Sequence, residues 1–212
     1  MTEELIQGSP EWFAARAGKV TASRITDLMA KTKSGWGASR ANYAAQLVAE
    51  RHTGEPGEAF QNAAMKWGTE TEPRARAAYE FLRDQSVESV GFVPHPTIGM
   101  AGASPDGLVG TDGLVEIKCP NTATHIETLL GSIVPNKYIN QIQFQLACTG
   151  RQWCDFVSFD PRMPENMVLF VRRINRDSAA IAQIEYEVVE FLKEIDSTLR
   201  SLQGLYGTKA AA

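Results

Sequence analysis

The sequence predicts an α/β or α+β fold in which helices flank a mixed β-sheet, organised as one domain over residues 1–212. Three observations predict it. The first eighty residues carry helix signals and few strand signals. Residues from about 86 to 118 then break into short β-branched pieces punctuated by glycine. Helical and strand-like segments are mixed thereafter, as they are when helices cover a sheet. A chain of 212 residues is long enough for one real hydrophobic core and short for two.

Taken in order, Ser9-Pro10 supplies an N-cap and first helical position for a short helix, SPEWFAARAG, stopped by Gly18. A second short helix is expected after Thr21-Ala22-Ser23. SGWGAS (34–39) reads as a loop, and 38–51 as a helix ended by Thr53-Gly54. A longer helical region runs from about Phe60 to Arg83, with Tyr79 and Leu82 on one face. Within it, Gly68 and Pro73 predict a kink or a fresh start near Thr71. SVESVGFV, TIGMAGAS and GLVGTDGLVEIK are strand-like, the last a hairpin around Gly110-Thr111-Asp112-Gly113. Helices near 121–130 and 135–148 follow, then strands at WCDFVSF and NMVLFVRRI joined by the turn-rich DPRMPE. A long amphipathic helix over about 176–202 closes the chain. Residues 1–8 and 204–212 are expected to be flexible tails.

Composition narrows the function classes. At 43% hydrophobic and 22% charged residues the chain has an ordinary globular make-up. The opening MTEELIQGSPEW predicts no signal peptide, and no apolar run has membrane-spanning length. Cys119, Cys148 and Cys154 are odd in number and lack CxxC spacing. They predict reduced thiols and a cytoplasmic protein, and argue against zinc or an iron–sulfur cluster. His52, His95 and His125 form no ligand pair at helical spacing. A net charge of −4 disfavours a general nucleic-acid coat. Yet between Trp12 and Ala49 lie Arg16, Lys19, Arg24, Lys31, Lys33 and Arg40 against the carboxylate of Asp27. Such a stripe is able to face a polyanion, or is simply a solvated face.

The chemistry concentrates in SPDGLVGTDGLVEIKCP, residues 104–120. Glu116 and Lys118 are two apart on a strand and leave one face, while Val115 and Ile117 leave the other. Asp106 joins them only if the hairpin loop has three residues, 110–112. A four-residue loop puts it on the opposite face. Two convergent carboxylates make a hard, oxygen-rich site suited to Mg²⁺ or Mn²⁺. A lysine beside them holds or deprotonates a water and offsets charge on a phosphorane, the equipment for metal-assisted phosphodiester hydrolysis. From these residues alone, a plain SPDG turn and an i,i+2 ion pair on an edge strand stay open.

Pro105-Asp106 followed by Glu116-Ile117-Lys118 is the PD…ExK signature of restriction-endonuclease-like nucleases, a short and weakly specific motif. The resemblance extends further. WFAARAGKVTAS, MKWGTETEPRAR, AGASPDGLV, GLVEIKCP, NQIQFQLACTG and FVSFDPRM, in order from about residue 10 to 175, resemble the phage lambda exonuclease family, the YqaJ-type viral recombinase exonucleases. That resemblance implies a restriction-endonuclease-like core, with Asp106 and Glu116 as metal-binding residues and Lys118 acting on the nucleophilic water. The Ile117 carbonyl would complete one ion's shell, and Glu72 on the Trp67-Gly68 helix would add a carboxylate. Without the family, Glu72 reads as a first-turn helix acid favoured by the dipole. Pro73, directly after Glu72, departs from the family's pattern and bears on that ligand's local geometry.

The resemblance also implies a 5′-phosphate pocket of Arg16, Ser23, Ser104 and Gln143. A guanidinium fork suits phosphate oxygens, and hydroxyls near a helix start add donors. Read singly, Arg16 is a surface arginine and Ser23 a cap. Gln141, Gln143 and Gln145 alternate on a helix, so one or two of them face the site. Gln143 is the expectation by motif alignment, with Gln141 as a further DNA contact. Met65 falls where the family unpairs terminal bases, or is a helix core residue. Lys33 is placed to reach a groove of the duplex, or is solvated.

The function implied is a Mg²⁺-dependent exonuclease, with Mn²⁺ as a substitute. It would degrade the 5′-phosphorylated strand of linear double-stranded DNA to mononucleotides, leaving a 3′ tail for a single-strand annealing protein. A homotrimeric ring around DNA is implied by resemblance alone. An endonuclease of the same fold and a non-catalytic DNA-end-binding protein are the alternatives.

Overall fold

A computed structural model describes residues 5–33, 35–57 and 62–207. Its architecture is the predicted one, a mixed sheet between helical layers. Five strands hydrogen-bond in the order β10-β9-β8-β7-β4: β4 (Val87–Glu88), β7 (Gly107–Val109), β8 (Gly113–Lys118), β9 (Trp153–Phe159) and β10 (Leu169–Asn175). The β8–β9 pair is parallel and the others antiparallel. A second sheet orders β1 (Val20–Thr21), β6 (Ala101–Ala103) and β5 (Val93–Pro94), with β1 parallel to β6. The seven helices of the described residues are α1 (Pro10–Arg16), α2 (Ile25–Leu28), α3 (Ala38–Thr53), α4 (Ala63–Arg83), α5 (Thr122–Gly131), α6 (Asn136–Thr149) and α7 (Ser178–Tyr206).

Strand alternation divides the core. Leu114, Cys154 and Phe156 leave one face of the large sheet and pack with Ile142, Phe144 and Leu146 of α6 and Ile184, Val188 and Phe191 of α7. Val115, Ile117 and Val157 leave the other face and meet Ala75 and Tyr79 of α4. Strand β8 is therefore roofed by α6 and floored by α4, so groups from both helices can reach its end. Cys119, Cys148 and Cys154 are unpaired thiols. No helix among the described residues is long and apolar enough to cross a membrane.

Two expectations need correction. The kink or restart near Thr71 is absent, and α4 runs unbroken through Pro73. Proline removes one donor and strands the carbonyl four residues earlier, but Thr69 and Pro73 are both exposed, so water can serve that carbonyl. SGWGAS is not all loop, because Gly35–Trp36 (β3) pairs antiparallel with Lys31–Thr32 (β2). The expected tails, 1–8 and 204–212, fall partly outside the described residues, as does Phe60. Within them, Gln7 Nε2 donates to the carbonyls of Val90 and Pro105, and α7 continues to Tyr206.

The hairpin carrying the site depends on Gly113. A Cβ there would lie 2.1 Å from the Trp153 ring. Gly113→Ala should cost about 1–3 kcal/mol by overpacking, read as a lower urea midpoint at unchanged m-value. An unchanged midpoint would mean that Trp153 yields freely.

Candidate active site

The register of β7 against β8 pairs Gly107 with Val115, Leu108 with Leu114 and Val109 with Gly113. The loop is thus Gly110-Thr111-Asp112, the three-residue alternative, opened by Gly110 in the left-handed region (φ +52°). Carried one step beyond the ladder, this register sets Asp106 opposite Glu116. The Asp106 Oδ2 accepts the Ile117 N–H at 2.6 Å, which ties the first carboxylate to the strand bearing the second.

Glu116 is 1% exposed, and burial of a carboxylate demands partners. Its Oε1 accepts from Gln141 Nε2 at 2.6 Å and pairs with Lys118 Nζ at 2.5 Å. Its Oε2 accepts from Gln145 Nε2 at 2.6 Å. Glutamines four apart lie on one helix face, so α6 grips both oxygens. From α4 below, Arg76 Nη2 donates to the Asp106 carbonyl at 2.5 Å and sits 3.5 Å from Glu72 Oε1. Glu72 accordingly stands beside the hairpin end.

These groups perturb one another. Burial first, and the Glu116 carboxylate next, push the Asp106 carboxyl well above its usual range. Burial also raises Glu72, against the opposing pull of Arg76. For Lys118, burial disfavours the charge, but Glu116 and Asp106 outweigh it and hold the ammonium above its ordinary value. No group of three His, Cys, Asp or Glu side chains among the described residues forms a ready ion cage. The donor chemistry nevertheless fits a hard divalent cation: Asp106, Glu116 and Glu72 offer carboxylates and Ile117 a carbonyl. The strain on Asp106 in holding a charge is what a bound cation would relieve.

Two residues upstream of Asp106, Ser104 Oγ accepts from Trp12 Nε1 at 2.9 Å and from Arg16 Nη1 at 3.0 Å. With both acceptances taken, its own proton is left to donate. The Arg16 guanidinium lies 4.0 Å over the Trp12 ring, one helical turn away. Burial lowers the Arg16 pKa to about 10, while Tyr43 and Glu50 support its charge. The parallel pairing of Val20 with Ala101 and Thr21 with Gly102 brings Ser23 and Ser104, just past each strand, to the same sheet end. Ser23 is exposed, its Oγ 3.4 Å from Thr21 Oγ1.

Gln143 is a correction. Its Nε2 donates to the Asn175 carbonyl and its Oε1 accepts from the Asp177 N–H, so it holds the start of α7 and faces away from Glu116. The residues of α6 on the carboxylate are Gln141 and Gln145. Motif alignment pointed to Gln143, whereas the i,i+4 spacing of 141 and 145 was the signal that favoured the other pair. Trp12 is the other residue that sequence reading missed, again visible as an i,i+4 partner of Arg16. Met65 is 51% exposed in the first turn of α4. It lies seven residues before Glu72 on the same helix face, about 10 Å along the axis. Lys33 is exposed in the turn after β2.

Residues 11–152 match the model of the YqaJ-like viral recombinase domain. Among solved structures, the chain is similar to LHK-Exo, an alkaline exonuclease from Laribacter hongkongensis, at 55% identity and a TM-score of 0.86. That match covers 92% of this chain and 96% of the other. The crystal structure of LHK-Exo in complex with dAMP matches with the same identity, coverage and TM-score. A phage-related exonuclease from Haemophilus somnus 129PT shares the fold at 15% identity, TM-score 0.68, over 87% of this chain and 96% of its own. No curated protein matches. With a family model spanning two-thirds of its length and a relative more than half identical, this chain belongs to the YqaJ-like viral recombinase family.

Proposed function

We propose that this chain is a divalent-metal-dependent 5′-to-3′ exonuclease. It engages the 5′-phosphorylated end of linear duplex DNA, hydrolyses that strand to mononucleotides and leaves a 3′ tail for an annealing protein. The observation that carries the reading is the convergence of Asp106, Glu116 and Lys118 at one strand end, with Arg16 and Ser104 next to them. The similarity to an alkaline exonuclease, itself crystallised with a mononucleotide, agrees with the substrate and product classes.

Asp106, Glu116, Glu72 and the Ile117 carbonyl would hold Mg²⁺, or Mn²⁺ in its place. The ion supplies Lewis-acid polarisation of the phosphoryl oxygens and a more acidic bound water. Gln141 and Gln145 keep the Glu116 carboxylate in one orientation. Lys118, held as an ammonium, donates to the attacking water and offsets the charge that grows on the phosphorane. Arg16 and the hydroxyl of Ser104, with Ser23, bind the 5′-phosphate and set how far the strand advances. Met65 separates the terminal base pairs, and Lys33 meets the duplex. By family resemblance the working form is a homotrimeric ring.

The test is digestion of linear duplex with 5′-phosphate or 5′-hydroxyl ends, beside covalently closed circular DNA. The parent should release mononucleotides from linear DNA alone, faster with the phosphate. Arg16→Ala should slow phosphorylated ends about 10- to 100-fold, the worth of one charged hydrogen bond, and leave hydroxyl ends nearly unchanged. Cutting of the closed circle without phosphate preference would move the protein to endonucleolytic chemistry.

A further inference from the structure

The DPRM segment after β9 has no role in the proposed reaction, yet it holds a fixed, half-exposed arginine. Asp160 is fully buried. Its Oδ1 accepts from the Arg162 backbone N–H at 3.0 Å and from Arg162 Nε at 2.7 Å, and its Oδ2 accepts from Arg162 Nη2 at 2.9 Å. Nη2 also donates to the Pro120 carbonyl at 3.2 Å, and the guanidinium lies 4.5 Å over the Trp67 ring. Burial opposes the Asp160 charge, but the hydrogen bonds from Arg162 and Thr122 prevail and hold its carboxyl at about 2, so the pair stays ionised.

All this orients a side chain that remains 46% exposed. Its hydrogen bonds run through the backbone N–H, Nε and Nη2 and leave Nη1 out, and the buried Nε1 of Trp67 beneath it has no acceptor among the described residues. A buried ion pair is a poor source of stability compared with apolar packing. It is a good way to hold an arginine still, and an arginine already ordered binds a phosphate at less entropic cost.

The position gives the ligand. Strands β8 and β9 are parallel with Lys118 beside Ser158, so Pro120 and Asp160 lie side by side just beyond. That places the guanidinium at the carboxyl end of the strands that carry Glu116 and Lys118, roughly 7 Å past Lys118 at strand rise. Its stacking partner Trp67 lies on α4 between Met65 and Glu72. Resting on the nuclease reading above, we propose that Arg162, fixed by Asp160 and Trp67, binds a backbone phosphodiester of the DNA strand that passes the carboxylates. It acts as a phosphate contact separate from Arg16.

The measurement is the salt dependence of binding to a 5′-phosphorylated duplex, by fluorescence anisotropy in EDTA, so that nothing is cut. Asp160→Asn keeps the positive charge, and should retain the slope of log K against log salt while weakening binding several-fold. Asp160→Asn combined with Arg162→Gln removes both charges of the pair and strands neither. Relative to Asp160→Asn alone it should reduce the slope by about 0.9 if the contacted strand is in duplex, or about 0.7 if it is already single. An equal slope in the two variants, both folded by thermal melt, would overturn the contact and leave Arg162 as the structural partner of Asp160. If the parent chain itself does not bind DNA, the nuclease reading falls and this inference with it.

Discussion

Asp106→Asn should abolish digestion of linear duplex, by about 10³-fold or more, and yet leave the chain more stable than its parent in EDTA at pH 8. The activity loss follows from removing a carboxylate from the proposed cation site, where transition-state stabilisation of several kcal/mol is at stake. The stability gain follows from the electrostatics. Burial and Glu116 raise the Asp106 carboxyl above its unfolded value, so the native state holds the proton over a window in which the unfolded chain has lost it. By linkage, stability falls as pH rises through that window, and the charged form is a net cost above it. Asparagine keeps an oxygen for the Ile117 N–H and removes the charge. The gain should be about 1 kcal/mol, or 2–4 °C in melting temperature for a chain of this length. It should shrink at pH 5, and shrink again when Mg²⁺ is added at pH 8, because the parent then gains a ligand that the variant binds poorly. Thermal melts across pH with and without Mg²⁺ read both effects. A destabilised Asp106→Asn at pH 8 would show that Lys118 and Arg76 already compensate Asp106 in full.

The largest loss of stability is expected at Asp155, which lies away from the chemistry. It is fully buried on β9, facing α4. Tyr79 Oη donates to its Oδ2 at 2.9 Å, Arg173 Nε and Nη2 donate to its two oxygens at 2.8 and 2.9 Å, and Arg83 Nε stands at 3.6 Å. Asp155→Ala leaves a buried phenol without an acceptor and a cavity, and returns Arg173 and Arg83, 44% and 37% exposed, to solvent. The stranded phenol and the lost charged hydrogen bonds together cost about 2–4 kcal/mol, on the order of 10 °C here. Tyr79→Phe removes one donor from a carboxylate that keeps its bidentate arginine and should cost about 1 kcal/mol. Equal losses for the two variants in denaturant titrations would place the energy in Tyr79 rather than in the arginine pair.

Much of the site was readable because its signals are local. PD…ExK, the Trp-Gly helix and the Gln-rich helix each carry their spacing along one element, and the mixing of helical and strand-like segments implies a mixed sheet covered by helices. What was misread depended on partners distant in sequence. Pro73 looks like a helix breaker until Thr69, whose carbonyl it leaves without a donor, is found exposed. Gln143 looks like a site residue until α7 is in place, because its amide pairs with Asn175 and Asp177, thirty-two and thirty-four residues on. Arg162 sits in a turn-rich loop, and nothing near it in sequence indicates that Trp67 and Pro120 will enclose it.

The sequence by itself determined the mixed α/β architecture and the types of residue available for phosphodiester chemistry, which follow from periodicity and composition, and its ordered motifs carried the family resemblance. Only the tertiary structure decided which of those residues meet. The three-residue loop puts Asp106 on the face of Glu116, where one residue more would have inverted it. The docking of α6 selects Gln141 and Gln145 over Gln143, because residues four apart share a helix face and residues two apart do not. Both choices rest on rotations about a strand or helix axis, which a one-dimensional pattern leaves open until a partner surface closes them.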